Sequence, residues 1–302
     1  MKRIFGWIFL FILLLGGTGL LLYPVWSDWT ASRENDRQIE VFEKKTSEVS
    51  QDQDRSKQLY DAMQAYNERI FREGQSGMTD AWDAAESEFD FRGTGLEEGV
   101  IGSITVPAMD ICLPLYIGAN EENLKEGAAV LSETSMPVGG ENTNCVIAAH
   151  RGYAGAAMFR DIEILKPGDQ VEIKNLWETL EYEVVKCIAI YPDNIDAVKI
   201  VPGEDMVTLI TCHPYTKNYQ RYVVYCQRSG TETQEKDSQE LNRLLDYDGV
   251  DYISSEPEIE QEKWMRRIAV GAAVILFTGA LIILVRQIVL GKPERRKKRK
   301  RK

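Results

Sequence analysis

Two uncharged apolar runs stand near the ends of this chain and constrain everything between them. Ile4 to Tyr23 reads IFGWIFLFILLLGGTGLLLY, and Ile268 to Val285 reads IAVGAAVILFTGALIILV. A helix that crosses a bilayer needs about 20 apolar residues, within a range of roughly 17–25. Both runs meet that requirement. For the first run the alternative is a cleaved signal peptide, whose apolar region spans only about 7–15 residues before a small-residue cleavage site. This run is longer and leads into Tyr23-Pro24-Val25-Trp26, so an uncleaved anchor is the expectation. Charge then sets the orientation. The chain carries a net charge of −11. Nine Lys/Arg against one Glu between Lys292 and Lys302 give +8, Lys2 and Arg3 give +2, and the rest therefore carries −21. Basic flanks stay on the cytoplasmic side of a membrane. The expected topology is two-pass in the cell membrane, with both termini cytoplasmic and about 240 residues outside. Nucleic-acid binding does not fit, because its basic patch would lie on the folded domain.

Between the runs the texture changes twice. Residues 27–75 are polar, with Leu59, Met63, Tyr66 and Ile70 at helical spacing, which predicts one or two helices. Residues 76–95 form a Gly/Ser/Asp-rich loop that keeps Trp82, Phe89 and Phe91. From residue 96 to 228 short β-rich runs alternate with turn residues: VIGSITVP, ICLPLYIG, NCVIAAH, QVEIKN, LEYEVVKCIAIY, MVTLITC and RYVVYCQR. That spacing predicts a mostly β domain, a sandwich or a barrel. Continuous apolar stretches such as CVIAA predict strands buried on both faces. Short helices are expected at Glu121–Gly127 and Ala156–Leu165. Residues 229–263 read as an acidic spacer, residues 264–290 as the second span and residues 291–302 as a basic cytoplasmic tail, after an N-terminal anchor over 1–26.

The chemistry narrows to few groups. Five cysteines, at 112, 145, 187, 212 and 226, leave at least one thiol unpaired unless it bonds another molecule. No C-x-x-C pair is present, and the only histidines are His150 and His213. Cys212 ends the apolar run Val207–Thr211. The segment HPYTKNYQ, with turn-compatible Pro214, Lys217 and Asn218, separates it from the run that starts at Arg221. An antiparallel hairpin would bring Cys212 and Arg221 together at the loop end, where a guanidinium stabilises a thiolate and a developing oxyanion. His150 leaves another apolar run, CVIAAH, and is placed either to act as the base or to serve as a hydrogen-bonded structural histidine. Residues adjacent on a strand face opposite sides, so His213 is read as loop surface. Cys112, Cys145, Cys187 and Cys226 are read as small buried hydrophobes. Arg151 and Arg160 receive no role.

These residues resemble a known family. TLITC followed by Arg, through Thr208, Leu209, Thr211, Cys212 and Arg221, is similar to the sortase signature TLxTC…R. LSETSMPVGGENTNCVIAAHRG resembles the family's His-bearing segment, and GVIGSITVPAMDICLPLYIG, MFRDIEILKPGD and ETLEYEV extend the likeness over residues 96–228. The pilus-assembling class C members share a segment like LLYPVWSDW, a second C-terminal span and a lid loop. That lid usually reads Asp-Pro-aromatic; here Asp80-Ala81-Trp82 stands in its place, and alanine for proline makes it less rigid. Asn144 stands where class C often has a second His, and His213 where Thr is common. The resemblance implies a closed β-barrel of about eight strands with short helices, preceded by N-terminal helices and flanked by two transmembrane helices. It also implies catalytic His150, Cys212 and Arg221, with Asp80 and Trp82 as the lid. The implied reaction cleaves an LPXTG-like sorting signal between Thr and Gly. The acyl group then passes to an amine acceptor, either a pilin lysine or a cell-wall peptide. The implied partners are pilins or surface proteins that carry the signal. No metal or organic cofactor is implied, and no clear calcium loop is present. Competing readings are a wall-anchoring sortase, a hydrolytic cysteine peptidase and a non-enzymatic surface-assembly scaffold.

Overall fold

A computed structural model describes residues 2–78, 99–230 and 249–290, with the single residues 80, 89, 94, 96, 241, 245 and 247 between them. Helix α1 spans Lys2–Gln51, with Pro24 inside it, and α2 spans Gln53–Glu73. The Asp52 carboxylate accepts the Arg55 N–H at the start of α2, and Gly74 ends it in the left-handed region at φ 71°. Asp satisfies an orphan donor at a helix start, and glycine adopts the left-handed exit without Cβ strain. Leu59, Met63, Tyr66 and Ile70 are all buried, as the helical spacing predicts.

Eight strands follow: β1 (Val100–Val106), β2 (Ile111–Ile117), β3 (Ala128–Val130), β4 (Thr143–Ala148), β5 (Gln170–Lys174), β6 (Thr179–Ile190), β7 (Asp205–His213) and β8 (Gln220–Arg228). They close into a barrel in the order β1-β2-β3-β4-β7-β8-β6-β5. The β2–β3 and β4–β7 pairs are parallel and the other pairs are antiparallel. Closure removes the unpaired edges that an open sheet of this size would expose. Helix α3 (Glu121–Glu126) leads into β3, and α4 (Glu256–Leu290) closes the described chain.

Two apolar clusters explain the continuous hydrophobic runs. The inner one takes Cys145, Ile147 and Ala149 from the β4 segment, Val207 and Leu209 from β7, and Val224 and Cys226 from β8, and it continues to the buried face of α2. The outer one takes the alternate residues Val146, Ala148, Ile210, Val223 and Tyr225, and covers them with Leu124, Ala197, Val198, Leu241 and Leu245. Strand side chains alternate between faces, so a strand buried on both sides has no polar positions to spare.

Two expectations need correction. Ala156–Leu165 forms turns and a short 3-10 helix at Ile162–Ile164 instead of an α-helix. Met158 sits at φ 43°, outside the right-handed helical region. Cys112 is exposed and Cys187 half-buried, while Cys145 and Cys226 are buried. Leu241 and Leu245, within the stretch read as an acidic spacer, pack into the outer cluster.

The chain divides into two compact units, Asp28–Ile259 and Met1–Ser27 with Glu260–Lys302. Among the described residues one helical stretch, Glu256–Ile283, is long and apolar enough to cross a membrane. The first apolar run lies within α1.

Candidate active site

The register of the barrel determines which side chains meet. Cys212 on β7 is the direct cross-strand partner of Arg221 on β8, as the hairpin reading requires. Directly opposed residues in an antiparallel pair point to the same face. That face is the outer one, because Cys212 alternates in phase with Ile210, and Arg221 with Val223. Strand β4 runs parallel to β7 with Ala148 beside Ile210. The pairing continues past the strand end: Ala149 N–H donates to the Ile210 carbonyl at 3.4 Å, and the Thr211 hydroxyl donates to the Ala149 carbonyl at 2.7 Å. Two residues on from Ala148 and Ile210 are His150 and Cys212. His150 follows two residues after Ala148, just past the end of β4, the strand that neighbours β7. The thiol and guanidinium thus oppose each other across β7 and β8, and the imidazole stands at the exit of the adjoining strand.

The electrostatics describe a resting site. Burial pushes the Cys212 thiol up; the Arg221 charge pulls it down, Asp80 pushes it back up, and Arg151 lowers it, with a net rise. Burial pushes the His150 imidazole down, and Lys125 adds to that. At neutral pH the pair is therefore an uncharged thiol beside an uncharged imidazole. The His150 ring stacks on Tyr153, with centroids 4.9 Å apart and an 18° interplanar angle. Arg221 is gripped from the chain ahead of the barrel. Its Nε donates to Asp80 Oδ1 at 2.9 Å and its Nη2 to Asp80 Oδ2 at 2.5 Å, while Nη1 donates to the Asn218 and Gln220 carbonyls. A bidentate carboxylate occupies the fork that a substrate carbonyl or oxyanion would use. Asp80 thus meets Arg221, and Trp82 lies outside the described residues. Phe89, from the same segment, packs edge-on against Tyr66 of α2 at 5.9 Å.

His213 is not loop surface. It is the last residue of β7 and fully buried, in phase with Val207, Leu209 and Thr211 on the inner face. Arg151 is buried beside it and bonds both the Cys212 carbonyl and His213, and Glu163 pairs with Arg151. Sequence reasoning read His213 as loop surface, gave Arg151 no role and did not single out Glu163. Alternation along β7 was the available signal for His213, provided that the strand was carried one residue past Cys212.

A closed β-barrel that pairs a thiol with a guanidinium across two strands, with a histidine at the end of the next strand, has the groups that cysteine-based acyl transfer requires. A sortase-domain family profile matches residues 104–229. Sortase A of Bacillus anthracis is 34% identical over 133 residues, which is 44% of this chain and 61% of that protein. Sortase A of Streptococcus agalactiae serotype III is 26% identical over 211 residues, covering 68% and 77%. Among solved structures, sortase C1 of GBS pilus island 1 aligns with a TM-score of 0.59 at 30% identity over 65% of this chain and 98% of that one. Streptococcus pneumoniae sortase C aligns at 0.56 and 33% identity, over 64% and 97%. The chain belongs to the sortase family, whose members are cysteine transpeptidases.

Proposed function

We propose that this protein is a membrane-anchored, extracellular transpeptidase of the pilus-assembling class, with Cys212 as nucleophile. The observation that supports the reading is the direct cross-strand pairing of Cys212 with Arg221, with His150 just past the end of the neighbouring β4. The Cys212 thiol passes its proton to His150 as sulfur attacks the Thr–Gly carbonyl of an LPXTG-like sorting signal. Arg221, released from Asp80, holds the developing oxyanion. The imidazolium of His150 then protonates the departing glycine amine, leaving a thioester on Cys212. A lysine amine of the next pilin, deprotonated by His150, attacks the thioester. An isopeptide bond forms, and the sulfur leaves and regains its proton. Asp80 and Trp82 form the lid, and substrate entry exchanges the Asp80 carboxylate for the signal peptide. The two apolar runs anchor the chain as a two-pass protein with cytoplasmic termini.

The alternative is attachment to a cell-wall amine. The solved structures described as pilus-related favour pilin joining. Incubation with a sorting-signal peptide, a pilin-derived lysine peptide and a cell-wall peptide separates the cases. The expected product is the amide with the lysine peptide. Amide only with the wall peptide would favour the alternative, and release of free acid alone would overturn transpeptidation.

A further inference from the structure

The inner side of the site holds a charged cluster that the reaction does not use. Arg151 follows His150, and alternation sends its side chain to the face opposite the imidazole. There its Nη1 donates to the Cys212 carbonyl at 3.4 Å and to Nδ1 of His213 at 2.7 Å, while its Nη2 pairs with Glu163 Oε1. Nδ1 of His213 also lies 3.3 Å from Glu163 Oε1. A guanidinium only donates, so Nδ1 accepts at the shorter contact and the ring proton sits on Nε2. The Glu163 side chain is fully buried. Its second oxygen accepts from the Tyr252 hydroxyl at 2.6 Å, the Ser255 N–H at 2.9 Å and the Ser254 hydroxyl at 3.4 Å. Burial alone would raise this carboxyl, but the Tyr252 hydroxyl and the Arg151 guanidinium outweigh burial and hold it well below the usual range. The Tyr252 ring lies flat on His213, with centroids 5.6 Å apart at 6°.

A buried ion pair is a poor source of stability, because desolvation consumes most of its attraction. Its geometry is the informative part. Arg151 is bonded through the backbone to the base and through its side chain to the backbone of the nucleophile. It therefore ties the two chain segments whose separation sets the Cys212–His150 contact. Glu163 fixes the guanidinium, and Tyr252, Ser254 and Ser255 fix Glu163. Those three residues come from the strap that runs into α4 at Glu256. The same strap is tied to the chain just after β7, where the Tyr215 N–H donates to the Ser255 hydroxyl at 2.9 Å.

We propose that Glu163 and Tyr252 are positioning residues for acyl transfer: through Arg151 they hold His150 and Cys212 in register, so the strap ahead of the C-terminal helix completes the site. The inference rests on the reading of Cys212 as the acylated nucleophile. A displacement of about 1 Å between reacting groups costs up to about a hundredfold in rate, and a brace of this kind resists that displacement.

The test uses the full chain in detergent micelles, with a sorting-signal peptide and, separately, iodoacetamide as a substrate-free probe of Cys212. Tyr252→Phe keeps the stacking on His213 and loses only the hydroxyl. It should lower kcat per titrated site roughly tenfold at unchanged KM. Glu163→Gln should lower kcat as well, yet move the alkylation midpoint of Cys212 to lower pH. It leaves Arg151 unneutralised on the inner side of the thiol, opposite Arg221 and Asp80 on the outer side. Slower acylation with faster alkylation is a pair of changes that general loosening of the fold does not produce. Wild-type kcat per site in both variants overturns the brace, as does an unmoved alkylation midpoint in Glu163→Gln. If the parent chain forms no acyl-enzyme, the functional reading fails by itself, and the alkylation midpoint still decides whether Glu163 neutralises Arg151 behind the thiol.

Discussion

At the scale of single residues, burial and one carboxylate together push the Cys212 thiol up against the pull of Arg221. Asp80 occupies the Nε–Nη2 edge of the Arg221 guanidinium and adds to the rise that burial gives the Cys212 thiol. Removing it returns the guanidinium charge to the thiol. Asp80→Ala should therefore shift the midpoint of Cys212 alkylation to lower pH and raise the rate at pH 7 by up to about tenfold, the equivalent of one pKa unit. Measured against iodoacetamide from pH 6 to 10, an unchanged midpoint would contradict the Asp80 grip. The pairing of Cys212 with Arg221 was legible in the sequence because each sits where an apolar run meets a turn, and a hairpin fixes them opposite each other. Arg151, Glu163 and His213 were not. Their partners lie 12 to 92 residues apart along the chain, and no local pattern encodes a buried network of that span. Pro214 and the polar residues after it also made the strand appear to end at Cys212, which turned His213 outward in the reading. Asp80 was legible only as part of a lid motif.

At the scale of elements, α2 is joined to the barrel by both packing and directed hydrogen bonds. Its apolar face enters the inner cluster. Asn67 accepts the Met136 N–H at 2.7 Å and donates to the Met136 carbonyl at 3.3 Å, and Trp177 Nε1 donates to the Ser56 hydroxyl at 2.9 Å. Asn67→Leu preserves size but leaves the buried Met136 N–H unpaired, while the Met136 carbonyl keeps the Val138 N–H. It should destabilise the domain by about 1–3 kcal/mol in urea unfolding; a change within about 0.5 kcal/mol would show that α2 docks by packing alone. The helix was readable from its spacing of Leu59, Met63, Tyr66 and Ile70. Its docking site was not, since the Met136 backbone offers no side-chain signal. The 3-10 turn at Ile162–Ile164 was misread as part of a longer helix. The composition of MFRDIEILK suits a helix, but the left-handed backbone at Met158 breaks it. That break matters, because it turns Glu163 into the inner cluster.

At the scale of the whole molecule, the alternation of inner and outer clusters accounts for both the barrel and the site. Closure places β4, β7 and β8 side by side, and alternation sends one set of side chains outward to the chemistry and the next inward to the brace. The apolar β-runs made the domain legible as a sandwich or barrel, while the strand order was not, because the β1–β5, β4–β7 and β6–β8 pairings join strands that are not consecutive in the chain. The two apolar runs set the expected topology, and one stretch, Glu256–Ile283, meets the length and apolarity of a span among the described residues. The central claim is that Cys212 carries the acyl group and His150 moves its proton. Intact-mass measurement of the full chain after exposure to a sorting-signal peptide tests it most directly. A thioacyl adduct that maps to Cys212, absent in Cys212→Ala and reduced at least about a hundredfold in rate in His150→Ala, is the predicted result. An adduct on another residue, or an undiminished rate of Cys212 acylation in His150→Ala, would contradict the account.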